Sequence, residues 1–102
     1  MVDKFKHISV ADSRKMLAED VAIFVDIRDI TAYAAGHVKD AVRLDNASIP
    51  VFLQKNPKET PIIVYCYKGI SSQQIADFLV GQGFEDVYSM DGGYDEWAAT
   101  AQ

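Results

Sequence analysis

The strongest constraint on the fold is a pair of short, near-continuous apolar runs, Ala22–Asp26 and Pro61–Cys66. Each has the length of a strand, and apolar residues without alternation suit a strand buried on both faces. Three weaker runs, His7–Val10, Ala41–Leu44 and Asp86–Tyr88, have strand length as well. Between these runs lie segments with helical spacing and recognisable ends. Ser9 or Asp12 is expected to cap a helix running through Leu17. Asp29 should cap a short helix that stops at Gly36, a residue suited to the left-handed position after a helix. Asn46 or Ser48 precedes a short helix over Pro50–Gln54, and Pro57 follows soon afterwards. Ser71 or Ser72 opens another helix, in which Ile75, Phe78, Leu79 and Gln82 share a stripe that ends at Gly83. A last helix, roughly Gly93–Ala99, follows the turn Asp91-Gly92-Gly93. Strands alternating with helices imply an α/β domain whose sheet is largely parallel and covered on both faces. Ligands of such folds sit beyond the carboxyl ends of the strands.

With 102 residues, the chain is read as one domain over 1–102. No run approaches the roughly 20 apolar residues of a membrane helix, and Met1–Lys6 is polar, without the apolar core of a signal peptide. A cytoplasmic protein is expected, with no membrane partner. The net charge of −5 argues against nucleic acid, which is bound through clustered Lys and Arg. Small anions are a different case, because screening beyond about 8–10 Å lets a local donor cluster act alone.

Cys66 is the only cysteine, so the chain can form no internal disulfide and no cysteine cage for a metal. With only His7 and His37 to join it, neither a metal nor any other cofactor is expected. Without a resolving partner, any product formed on Cys66 passes to an outside thiol or nucleophile.

Cys66 ends the most apolar run, and Tyr67-Lys68-Gly69-Ile70-Ser71-Ser72 leads into a helix. Gly69 permits a tight turn, and such a loop can aim successive N–H groups inward as an anion nest. A thiolate held there titrates below the ordinary thiol value. A free cysteine at a strand end is otherwise most often a small buried hydrophobe. The adjoining Lys68-Gly69 and Ser71-Ser72, with a helix directly after, favour the reactive reading.

The segment from Cys66 to Ser72 resembles the active-site loop of the rhodanese superfamily. Asp26-Ile27-Arg28-Asp29, Tyr33, Gly36-His37-Val38 and Ala41 resemble that family's first signature, and Asp91-Gly92-Gly93-Tyr94 with Trp97 its C-terminal one. The three motifs occur in order from about Ile8 to Trp97, and the likeness is greatest to short, single-domain thiosulfate sulfurtransferases. The resemblance implies a rhodanese-like three-layer α/β fold with a central, mostly parallel five-stranded sheet. It also implies a two-step displacement. Cys66 takes the outer sulfur of thiosulfate or a similar donor, releases sulfite, and passes the sulfur to cyanide, thioredoxin or a small thiol. Tyr67, Lys68, Gly69, Ile70, Ser71 and Ser72 would form the substrate-binding ring, and Asp26 and Arg28 would support it from behind. Short members of the family carry His and Asn where this chain has Lys68 and Ile70. A basic Lys68 suits an anionic donor, whereas Ile70 removes a polar group from the rim.

For most of these residues a plainer role stands beside the chemical one. Lys68 reads equally well as a solvated loop lysine, and helix capping is the simpler role for at least one of Ser71 and Ser72. An internal ion pair is the simpler account of Asp26 and Arg28. His37 reads better as a helix-ending residue bonded to a nearby carbonyl than as a base. Tyr94 and Trp97 read as packing, and Asp45, Asp91 and Asp95 as caps and turn residues. Cysteine phosphatases require an Arg in a Cys-x5-Arg pattern, and that position here is Ser72. The remaining alternative is a rhodanese-like binding or thiol-sensing module. A monomer or weak homodimer is expected.

Overall fold

A computed structural model describes residues 4–101. Met1–Asp3, part of the polar N-terminal segment, and Gln102, the last residue of the expected domain, lie outside the described residues. Among the described residues five strands and five helices alternate: β1 (Lys6–Ile8), α1 (Val10–Glu19), β2 (Ile23–Asp26), α2 (Ile30–Ala35), β3 (Val42–Arg43), α3 (Ile49–Lys55), β4 (Ile62–Tyr65), α4 (Ser72–Gly81), β5 (Val87–Met90) and α5 (Gly93–Ala99). The sheet order is β1-β5-β4-β2-β3. Every pairing is parallel, so the sheet is wholly rather than mostly parallel.

β4 is the middle strand, and all its residues are completely buried. Ile62 and Val64 point to a layer holding Phe52, Ala76, Leu79 and Phe84, from and around α3 and α4. Ile63 and Tyr65 point to the opposite layer, with Val10, Tyr33, Tyr94 and Trp97 from α1, α2 and α5. Fully burying an aliphatic or aromatic side chain contributes about 1.5–3 kcal/mol, so this strand anchors both layers. The end of β4, where Cys66 follows, is therefore held on both sides.

Several expected boundaries move. Val10 belongs to α1 and not to β1, because Ser9 caps the helix at once, its Oγ accepting from the Asp12 amide at 3.0 Å. α1 runs past Leu17 to Glu19 and ends on left-handed Asp20. β5 begins at Val87 and continues to Met90, past the expected end at Tyr88, since Ser89 and Met90 still pair with β1. A serine interrupts the apolar pattern there without interrupting the ladder. Gly36 does end α2, but its φ of 170° is extended and not left-handed. Its missing side chain serves proximity instead: a Cβ there would lie 2.9 Å from the Tyr94 hydroxyl. On α4 the buried face is Ser72, Ala76 and Leu79, whereas Phe78 is exposed. Neither candidate for α3 caps it by its side chain. Asp45 closes the turn before it instead, its Oδ1 accepting from the amides of Ala47 and Ser48 at 3.0 and 2.9 Å. Among the described residues no helix is long and apolar enough to cross a membrane.

Candidate active site

Cys66 follows the last residue of β4 at the carboxyl edge of the sheet and is 4% exposed. Two amides donate to its sulfur, that of Gly69 at 3.2 Å and that of Ser72 at 3.3 Å, and the Ser72 hydroxyl lies 3.5 Å away, accepting from the thiol and placed to donate once the sulfur is ionised. The turn that aims them depends on Gly69, whose φ of +86° is a left-handed value. Burial pushes the Cys66 thiol up, but hydrogen bonds from the Ser72 side chain and from the Ser72, Lys68 and Gly69 amides outweigh it. The thiol therefore lies below its ordinary value of 9.0.

That shift has a pH signature. Between the folded and the ordinary value the unfolded chain holds the extra proton, so this group's contribution to stability grows as pH rises through the window. The gain is complete above 9.0 and is lost as pH falls through the folded value. Alkylation of Cys66 across pH is expected to show its midpoint below that of the urea-unfolded chain. Coincident midpoints would contradict the geometry.

The loop rests on the start of α5. The Tyr94 amide donates to the Cys66 carbonyl at 2.8 Å and the Asp95 amide to the Tyr67 carbonyl at 3.0 Å. Such close approach needs Gly93, where a Cβ would come within 2.5 Å of the Tyr67 carbonyl and 2.6 Å of the Lys68 amide nitrogen, at a φ of +59°. Gly69 meets the same turn from the other side, where a Cβ would lie 2.9 Å from the Gly92 nitrogen. Gly93→Ala is thus expected to cost at least the roughly 1–3 kcal/mol of overpacking and to drive the loop off α5. A thermal melt and the Cys66 alkylation profile together would register both effects. A wild-type profile would show that the loop does not depend on this contact.

The remaining loop residues divide. Tyr67 is exposed, and its hydroxyl donates to the carboxylate of Asp29, the residue that caps α2. Asp29 is thereby held below the usual carboxylate range. Lys68 pairs with Asp95 at 3.2 Å, both largely in solvent, and Ile70 is 72% exposed at the rim. Neither serine caps α4 by its side chain. Ser71 occupies the cap position in a helical conformation with no side-chain bond to the helix, and Ser72 turns its hydroxyl to Cys66 and to Ser89 on β5.

Asp26 and Arg28 form a completely internal pair, with Nη2 to Oδ2 at 2.7 Å and Nε shared between both carboxylate oxygens at 3.1 Å. Arg28 also donates to the Gly36 carbonyl at 2.6 Å and lies 4.1 Å from the Tyr94 ring centre. Burial opposes its charge, while the bonds and charge of Asp26 more than offset that and raise it. Its bonds go to Asp26 and Gly36, so it is not a free cation beside the loop. His37 bonds the Tyr33 carbonyl at 2.7 Å and stacks on the Tyr33 ring. Trp97 packs edge-on against Phe24. Among the described residues no group of three or more His, Cys, Asp or Glu is placed to hold a metal. The sequence had offered no reason to single out Ser89, and its only signal is a polar residue in a strand whose neighbours are apolar.

The model of the rhodanese-like domain family matches residues 9–100. The thiosulfate sulfurtransferase GlpE of Pseudoalteromonas translucida is 48% identical over 95 residues, covering 93% of this chain and 90% of that protein. That of Pseudomonas putida is 46% identical over 99 residues, covering 97% and 90%. Among solved structures, the human single-domain sulfurtransferase TSTD1 superposes with a TM-score of 0.84 at 21% identity, covering 94% of this chain and 97% of the other. A rhodanese-like domain protein from Staphylococcus aureus gives 0.80 at 24%, covering 91% of each. These structural likenesses establish the fold.

Proposed function

The chain belongs to the rhodanese-like domain family, and on that premise we propose that it is a thiosulfate sulfurtransferase whose nucleophile is Cys66. The observation that carries this reading is the convergence of the Gly69 and Ser72 amides and the Ser72 hydroxyl on one sulfur. Relatives at 46–48% identity over almost the whole chain bear the name thiosulfate sulfurtransferase, which supports the same donor class.

The reaction proceeds in two displacements. Cys66 thiolate attacks the outer sulfur of thiosulfate, a sulfur–sulfur bond forms on Cys66, and the older bond breaks with its electron pair on departing sulfite. Cys66 now carries a persulfide anion, and charge is conserved. Cyanide or an acceptor thiolate then attacks the terminal sulfur and regenerates the Cys66 thiolate. The donors that favour the thiolate also face the persulfide, so the binding energy acts on the charged states. Attack by the thiolate that these donors favour requires no general base. In the cell the acceptor is a dithiol such as thioredoxin or a small thiol, since the chain has no second cysteine to resolve the persulfide.

Intact mass spectrometry before and after thiosulfate tests the proposal. Gain of one sulfur atom, mapped to the Cys66 peptide and removed by cyanide, is expected. A Cys66 that stays unmodified with thiosulfate, mercaptopyruvate and persulfide donors, while still open to alkylation, would leave the binding-module reading in its place.

A further inference from the structure

Ser89 lies on β5 opposite Val64 of the central strand and is completely buried. A hydroxyl at such a position costs free energy unless it is hydrogen-bonded, and Val or Ile would fill it more cheaply. Its partner among the described residues is the Ser72 hydroxyl, 2.7 Å away and also completely buried. Ser72 in turn stands 3.5 Å from the Cys66 sulfur. The three groups form a chain with two links: Cys66 Sγ to Ser72 Oγ, and Ser72 Oγ to Ser89 Oγ.

We propose that Ser89 is a positioning residue for Cys66, acting through Ser72 to hold that hydroxyl's proton on the sulfur; this rests on Cys66 being the nucleophile. Each hydroxyl carries one proton and each link uses one. With Cys66 as a thiolate, Ser89 donates to Ser72, Ser72 donates to the sulfur, and both links are filled. With Cys66 as a thiol, three protons compete for two links. Either the Ser89 proton is stranded in the interior, or the thiol proton must turn out of the chain and leave the sulfur as a weak acceptor. Removing the thiol proton relieves the conflict, so the buried pair selects the charged sulfur. A bond donated to Ser72 also polarises the one Ser72 donates. The downward direction of the Cys66 shift agrees.

The charged groups around the loop stand apart from this chain. They are Lys68 with Asp95, Asp29 beneath the Tyr67 hydroxyl, the Asp26–Arg28 pair, and the His7–Asp91 pair at the ends of β1 and β5. None is hydrogen-bonded to Ser72 or Ser89, so changing Ser89 leaves their field in place.

The test is the pH profile of Cys66 alkylation by iodoacetamide, which needs no sulfur donor and so stands whatever thiosulfate does. Ser89→Ala is expected to move the midpoint upward and to slow alkylation roughly threefold at a pH below it, the size of one modest hydrogen bond. Ser72→Ala should move it further, and Ser89→Ala added to Ser72→Ala should do nothing more. Ser89→Thr keeps the hydroxyl and is expected to retain the wild-type midpoint. An unmoved midpoint in Ser89→Ala would overturn the proposal. So would additive shifts in the double variant, or a threonine variant that behaves like alanine.

Discussion

Cys66→Ala is expected to abolish sulfur transfer while leaving the fold standing. The substitution removes one atom at the mouth of the site, and that atom is the only thiol in the chain. No neighbouring group can replace it, because the loop's other side chains are hydroxyls, an amine and an isoleucine. Thiocyanate formation from thiosulfate and cyanide should therefore fall to the rate without protein. Cys66→Ser should lose as much. Its oxygen would sit among the same donors, but a serine hydroxyl is not ionised near neutral pH without an adjacent base. The structural cost is small in comparison. The Gly69 and Ser72 amides lose a buried sulfur acceptor, for which about 1–2 kcal/mol is a fair allowance. A cooperative thermal melt lowered by roughly 4–16 °C, together with no thiocyanate, is the expected pair of results. Activity retained above background would remove Cys66 from the mechanism.

Arg28→Ala should have the opposite profile, with its main effect on stability. It leaves the completely buried Asp26 carboxylate with the residue-28 amide, at 2.8 Å, and the Tyr65 hydroxyl in place of the guanidinium. Breaking a buried pair from one side typically costs about 3–5 kcal/mol, because the remaining charge is unpaired. A domain of this size loses roughly 4–8 °C per kcal/mol, so a fall on the order of 20 °C is expected in a thermal melt. The vacated space lies against the Tyr94 ring and the Gly36 carbonyl, which adds a packing loss. Arg28→Lys should not rescue it fully, since a single ammonium cannot reproduce bonds from Nε and Nη2 to two oxygens and a carbonyl. Replacing both partners, as in Asp26→Leu with Arg28→Met, should cost less than Arg28→Ala alone. The exposed Lys68–Asp95 pair makes the contrast: at 3.2 Å in solvent it contributes at most about 1 kcal/mol. A melt for Arg28→Ala within a few degrees of wild type would mean that Asp26 finds other partners.

Both results depend on features that differ in how visible they are in the sequence. The strand at Ile62–Tyr65 could be read directly, because uninterrupted apolar residues between turn signals have few other homes than a strand covered twice. Asp29 could be read as a cap from its place before a short helical stretch, and its side chain does accept from the Ala32 amide at 2.9 Å. The reading failed where a residue's role lies in what approaches it from elsewhere in the chain. Gly36 does end α2, but with an extended and not a left-handed backbone, and its lack of a side chain matters to Tyr94, far along the chain in α5. Ser71 and Ser72 looked like alternative caps, but Ser71 is itself helical and Ser72 is spent on Cys66 and Ser89. Phe78 fitted the apolar stripe of α4, but the helix turns Ser72, Ala76 and Leu79 to the sheet instead.

By itself, the sequence determined that the chain alternates strands and helices, that the sheet is largely parallel, and that one thiol ends its most buried strand before a glycine-containing turn. These follow from local spacing, from side-chain periodicity and from a cysteine count. Only the tertiary structure decided which donors reach that thiol, that Asp26 and Arg28 are wholly internal, and that Gly93 lets α5 support the loop. It also placed Ser89 behind Ser72. Each of these is a contact between segments far apart in the chain, where distance and burial set the strength of a charge or a hydrogen bond. No periodicity in the sequence encodes that distance.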